Sequence, residues 1–262
     1  MSHPILETTD LTVRFGGHVA VDHISCSFNA GELTAIVGPN GAGKTTYFNL
    51  ISGQVPVSEG RVKLGGSDIT RMSVDQRTHR GIGRAFQLTN LFPNLSVLEN
   101  VRLVVQSKAV RGFNILSMAD SHAELTGPAY DILERIRMTD QADQVVSELS
   151  HGDQRKLEVA LLIALDPLVY MFDESTAGMS VDEAPVVLDL IADLKTRKDS
   201  AILLVEHKMD VIRTLADRII VLHNGALAAD GDPVKVMASD VVQEAYMGRD
   251  LEEALGQCLI PS

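Results

Sequence analysis

The sequence predicts an α/β fold: a mainly parallel sheet, an antiparallel β subdomain at the N-terminus and an inserted α-helical subdomain. Three observations carry this expectation. Short, continuous apolar runs at Leu33 to Val37, Leu168 to Phe172, Ala201 to Val205 and Arg218 to Leu222 read as strands buried on both faces, the pattern of parallel sheets. Helical segments at about Lys44 to Ser52, Val181 to Lys195 and Lys208 to Leu215 alternate with them, as crossover connections require. Ahead of the first run, Ile5 to Phe28 alternates in strand fashion about the turn Phe15-Gly16-Gly17-His18, which is the mark of an antiparallel hairpin.

The remaining segments fit around that frame. Val62 to Leu64 and Ile82 to Gln87 have the composition of further short strands. From about Leu88 to Ser150 the periodicity turns helical, at Val97 to Ala109 and Ala119 to Met138, so this stretch is expected to be a helical insertion between two α/β parts. Asn224-Gly225 marks a hairpin turn, and terminal helices are expected from about Pro233. The expected organisation is therefore 1–87 as the first part of the core with the β subdomain, 88–156 as the helical subdomain, 157–247 as the second part of the core, and 248–262 as a tail.

Composition narrows the function classes. A chain of 262 residues, 45% hydrophobic, can bury a substantial core. Its net charge of −12, with no basic stripe, argues against nucleic acid as a partner, because such binding rests on neutralising phosphates. Cys26 and Cys258 stand far apart, outside any zinc spacing, which fits a reducing cytoplasm. Met1-Ser2-His3-Pro4 lacks the basic and apolar regions of a signal peptide. The longest apolar stretch, Val159 to Phe172, is broken by Asp166-Pro167 and falls short of the roughly 18–20 residues of a spanning helix. Any membrane role is thus expected to go through a partner.

Chemistry concentrates in a few motifs. Gly38-Pro39-Asn40-Gly41-Ala42-Gly43-Lys44-Thr45-Thr46 has the pattern G-x-x-x-x-G-K-S/T, between a predicted strand and a predicted helix. Glycines let backbone N–H groups converge on phosphate oxygens, Lys44 can reach the β- and γ-phosphates, and the Thr45 hydroxyl can ligate Mg²⁺. Leu168 to Glu174 is an apolar strand ending in two carboxylates, where ligands of parallel sheets bind. Alone, such a strand end is ordinary; beside a phosphate loop, Asp173 is suited to hold Mg²⁺ and Glu174 to polarise an attacking water. Leu149-Ser150-His151-Gly152-Asp153-Gln154 precedes an apolar helical run, and Ser150 with Asp153 reads as a helix cap.

With that hexapeptide the chain resembles the ATP-binding-cassette family, whose signature is L-S-G-G-Q. The resemblance covers about Leu6 to Gly248 and implies a P-loop NTPase (RecA-like) core that binds and hydrolyses ATP with Mg²⁺. It implies that Ser150 and Gly152 face the γ-phosphate held by the opposite subunit of a homodimer or a heterodimer with a paralogue. By the same resemblance Gln87 contacts Mg²⁺ and water, His207 is a switch histidine at a strand end, and Phe15 stacks on adenine. Partners implied are integral membrane permeases and, indirectly, a solute-binding protein, with the ATPase on the inner face of the cell membrane. Arg14-Phe15-Gly16-Gly17, Phe92 to Val101 and Ala177-Gly178-Met179 are most similar to importers of branched-chain amino acids and related amides and urea.

Departures from the family pattern fall on His151, Asp153, Ser175 and Ser180. None removes a group needed for phosphate, metal or water, but they bear on turnover and dimer closure. Two alternatives frame the reading: a soluble ATPase of the same architecture acting on nucleic acid or ribosomes, and a weakly hydrolysing nucleotide-dependent regulator. Stimulation by nucleic acid would favour the first, and single-turnover phosphate release separates the second.

Overall fold

The computed structural model describes residues 4–85, 91–110, 122–174, 179, 184–239 and 242. They fall into two compact units, one drawn from 1–82, 168–174 and 195–262, the other from 83–167 and 175–194.

In the first unit, β1 (Leu6–Phe15) and β2 (His18–Phe28) form the expected hairpin, closed by pairing of Phe15 with His18. β4 (Glu59–Leu64) and β5 (Ser67–Asp68) extend it, giving an antiparallel sheet of order β2-β1-β4-β5. Its inward residues, among them Leu6, Val13, Ile24 and Phe28, share one core with Tyr47, Phe48 and Ile51 of α1 (Lys44–Ser52).

A second sheet holds β3 (Leu33–Val37), β7 (Val169–Asp173), β8 (Ala201–Val205), β9 (Arg218–His223) and β10 (Ala226–Gly231) in the order β10-β9-β3-β8-β7, with Ile82, first residue of β6 (Ile82–Arg84), on the far edge. β3, β7, β8 and β9 run parallel, and β10 returns antiparallel to β9. Every residue of β3 and β8 is buried. Helices therefore cover both faces: Ile36 turns toward α1, while Ala35 and Val37 pack with Ile212 of α7 (Met209–Leu215) and Val236 of α8 (Pro233–Met237). The turn from β9 to β10 is Asn224-Gly225, with φ of 50° and 80°, as a two-residue hairpin of right-handed twist requires.

The apolar run before the acidic pair predicts a strand from Leu168, but Leu168 is 45% exposed and stands just ahead of β7. No predicted element corresponds to β5 or to α2 (Val74–Arg80). The latter opens with a reciprocal capping box between Ser73 and Gln76. One α2 side chain reaches far: the buried Arg77 guanidinium donates from Nη1 to Leu50 O and Ile51 O at 2.6 and 2.7 Å, from Nη2 to Thr70 O at 2.6 Å and from Nε to Met72 O at 3.2 Å. It thereby closes the carbonyl end of α1, where the helix dipole favours a cation. Gly53 makes room, since a Cβ there would lie 2.9 Å from Arg77 Nε.

In the second unit α3 (Val97–Val110) packs against α4 (His122–Arg135) and α5 (His151–Leu165). Asn100, fully buried, accepts from Phe92 N and donates to Phe92 O and Ser96 O, fixing the turn that leads into α3. α5 runs unbroken through position 156 and ends at a left-handed Asp166. The residues of α6 (Ala184–Lys195) through 194 also group with this unit.

Candidate nucleotide site

The site begins where β3 ends. Gly38, with φ of 150°, passes so close to β9 that a Cβ would lie 2.2 Å from Leu222 O. Gly43, with φ of 96°, leaves no more room, its Cβ position being 2.6 Å from Ala20 O. Gly41 differs, since its Cβ would meet nothing within 4 Å. Two of the three glycines thus exist because other backbone crowds the loop, and the third keeps its outer face open for a ligand to approach.

The clamp comes from the turn after β9: Gly225 N donates to Ala42 O at 3.1 Å, and Asp22 N donates to Gly225 O at 2.8 Å. Ala42 N also donates to Pro39 O at 3.1 Å, tightening the loop on itself. In the sequence Gly225 signals only a hairpin turn, and its support of the loop has no local sequence signal.

Lys44 opens α1, yet its ammonium folds back to donate to Gly38 O at 2.7 Å and Pro39 O at 3.0 Å. The residue is 6% exposed, so a cation is kept at the loop instead of in bulk water. No side chain caps α1, whose N-cap is the left-handed Gly43. A helix start without a side-chain cap, following a glycine loop that holds a lysine, fits phosphate by charge and by hydrogen bonding. Thr45 is exposed and Thr46 half-buried beside it.

The acidic pair reaches the same edge of the sheet. Val205, last residue of β8, is in register with Ile36 of β3 on one side and Asp173 of β7 on the other. With strands about 4.8 Å apart, the loop after β3 and the carboxylates at the end of β7 stand roughly 10 Å apart across the carboxyl end of β8. Glu174 adopts a left-handed φ of 52°, uncommon for a residue with a side chain, and its N–H donates to Val205 O at 2.9 Å. That geometry turns its exposed carboxylate toward His207, two residues past β8, and Glu174 Oε1 meets His207 Nε2 at 3.1 Å. The structure thus brings together Gly38, Pro39, Asn40, Gly41, Ala42, Gly43, Lys44, Asp173, Glu174 and His207 at the carboxyl ends of three adjacent strands.

Phe15 ends β1 and is 52% exposed, on the hairpin whose second strand touches Gly43 through Ala20. Ser150 and Gly152 lie at the start of α5 in the other unit, Ser150 exposed and Gly152 buried. Gln87, Ser175 and Ser180 lie outside the described residues.

A magnesium ion fits the donors present. Among the described residues no trio of His, Cys, Asp or Glu could hold a metal unaided. Mg²⁺ asks for less, taking one or two protein oxygens and filling its octahedron with substrate oxygens and water. The Thr45 hydroxyl and the Asp173 carboxylate are hard oxygen donors of that kind.

A glycine loop closed over a lysine at a helix start, with carboxylates two strands away, defines a P-loop nucleotide-binding protein. Comparison with known proteins sharpens this. The ABC transporter family matches residues 21–177. The chain is 34% identical over 254 residues to the high-affinity branched-chain amino acid transport ATP-binding protein BraF of Pseudomonas aeruginosa, covering 95% of this chain and 99% of that protein. It is equally 34% identical over 253 residues to LivG of Escherichia coli K12, covering 95% and 99%. Among solved structures it is similar to a nucleotide-free ATP-binding cassette from an ABC transporter, with TM-score 0.78 and 30% identity over 94% of this chain and 100% of that one. A cassette in its ADP conformation gives TM-score 0.79 and 29% identity over 95% and 100%. The chain belongs to the ABC transporter family as an ATP-binding subunit, an ATPase whose hydrolysis is coupled to transport.

Gly38 and Gly41 provide an internal control for the loop. Gly38→Ala is expected to lower stability by about 2 kcal/mol or more and nucleotide affinity at least about tenfold, because backbone must move to admit the methyl group. Gly41→Ala should lose only about 1 kcal/mol, from the left-handed conformation. Thermal unfolding with and without nucleotide checks both, and equal losses would contradict the packing described.

Proposed function

We propose that this chain couples ATP-driven closure of a cassette dimer to solute import through separate membrane permeases, the cargo being branched-chain amino acids or related amides. It works on the cytoplasmic face of the cell membrane; among the described residues no helix is long and apolar enough to cross one. What supports the reaction is the meeting of loop, acidic pair and histidine at three neighbouring strand ends, with Glu174 and His207 in contact. What supports the cargo is the 34% identity to BraF and LivG along nearly the whole chain.

Each residue has a defined part. Loop N–H groups and Lys44 bind the β- and γ-phosphates, and Phe15 stacks on adenine. Glu174 accepts the proton of the attacking water, and His207 orients that carboxylate while hydrogen-bonding the γ-phosphate. Thr45, Gln87 and Asp173 would hold Mg²⁺, which neutralises phosphate charge when bound. Ser150 and Gly152 meet the γ-phosphate held by the other protomer. Losing that phosphate removes the contacts that join the pair, so hydrolysis opens the dimer.

The test is reconstitution of the chain with its permeases in proteoliposomes, with the solute-binding protein outside. Leucine-loaded binding protein is expected to stimulate ATP hydrolysis and to drive leucine accumulation. Lys44→Ala should reduce both by about a hundredfold or more, because the lysine charge acts where negative charge develops. Stimulation by nucleic acid, or none by any loaded binding protein, would sink the reading.

A further inference from the structure

Ser150 caps α5 by accepting from Asp153 N at 3.0 Å. Its own hydroxyl hydrogen goes to Asp153 Oδ2 at 2.9 Å. In a reciprocal capping box the third helical side chain would accept from the cap's backbone N–H instead, as Gln76 does for Ser73 in α2. α5 therefore has more than a cap at its start. The Asp153 carboxylate takes the Ser150 hydroxyl and Gln141 Nε2, the latter at 3.3 Å, on one oxygen, and Lys156 Nζ at 2.5 Å on the other.

Asp153 and Lys156 side chains are only 16% and 13% exposed, so water and salt screen this charge less than at an open surface. Burial pushes the Asp153 carboxyl up, but Lys156, Ser150 and Gln141 outweigh it and hold the group below the ordinary aspartate range. It is an anion at neutral pH. One O–H cannot serve two anions, and two anions at one helix start repel.

We infer that Asp153 is a positioning residue that competes with the γ-phosphate for the Ser150 hydroxyl, weakening the ATP-bound dimer and speeding its opening. The inference rests on the assignment of Ser150 to the partner's γ-phosphate given above. Before closure the carboxylate holds the hydrogen that the phosphate needs. During closure Ser150 must be surrendered while two negative groups approach, and Lys156 offsets part of that repulsion. After hydrolysis Asp153 takes the hydroxyl back.

The experiment measures the dimer dissociation constant by sedimentation with Mg-ATP, in a Glu174→Gln background that retains ATP. Asp153→Asn should tighten the dimer roughly tenfold, and Lys156→Met, which leaves the carboxylate without its counter-charge, should loosen it by a similar factor. A role confined to the start of α5 would move both variants in the same direction. With Glu174 intact, Asp153→Asn should lower KM for ATP and kcat together, because opening becomes slow. Asp153→Ser serves if the asparagine variant does not fold. A dimer constant within twofold of the parent, or a shared direction for the two substitutions, overturns the inference while leaving the Ser150 assignment in place. Absence of any ATP-dependent dimer in the Glu174→Gln chain overturns both.

Discussion

Glu174→Gln is expected to reduce steady-state ATP hydrolysis by about a thousandfold while nucleotide binding is retained, the loss falling in the range of a missing general base. Glutamine has nearly the shape of glutamate, so little else changes. The left-handed backbone at Glu174 and its N–H bond to Val205 O do not depend on the side-chain charge. The contact with His207 Nε2 at 3.1 Å can persist, since an amide oxygen accepts as a carboxylate oxygen does. Only the capacity to take a proton from water disappears. Phosphate release in steady state and equilibrium binding of a fluorescent ATP analogue measure the two halves separately. Hydrolysis within threefold of the parent rate would remove Glu174 from the mechanism.

Arg77→Met should lower folding stability by about 4 kcal/mol, measured as the urea midpoint at unchanged slope. Methionine preserves much of the buried volume but no donor. Leu50 O, Ile51 O, Thr70 O and Met72 O then lose a shared partner, and buried acceptors left unpaired cost about 1–3 kcal/mol each. Burial pulls the guanidinium down to about 10, still protonated at neutral pH, and its charge faces the carbonyl end of α1. Arg77→Lys should recover only part of the loss, because an ammonium lacks the planar fork that reaches four carbonyls. A loss below about 1 kcal/mol would show that water replaces the guanidinium without penalty.

Much of the core was legible because its signals are local. Five-residue apolar runs such as Ala201 to Val205 declare a doubly buried strand by composition alone, and Asn224-Gly225 declares its turn. The phosphate loop is likewise written in consecutive residues. Register is not: nothing near Val205 says that it lies between Ile36 and Asp173, yet that alignment sets the site. His207, without the family resemblance, is an exposed histidine after a strand, and its pairing with Glu174 joins residues 33 positions apart. Arg77 stayed hidden for a similar reason. An arginine on a short polar helix reads as a solvated face, and only the carbonyls of another element make it internal. The Ser73 to Gln76 capping box was visible in sequence, but α2 has too little apolar periodicity to stand out. Nor does the motif separate Gly38 and Gly43, crowded by backbone, from Gly41, which is open.

Gly225 reaching back to Ala42 has a consequence for biosynthesis. During translation the phosphate cradle emerges long before the strand pair that braces it, so the nascent chain carries the nucleotide motif without its Gly225 brace until β9 and β10 arrive. A nucleotide that binds the braced loop more tightly than the unbraced one favours assembly of the C-terminal part of the sheet. Ligand binding and the last stage of maturation reinforce each other through the same short turn.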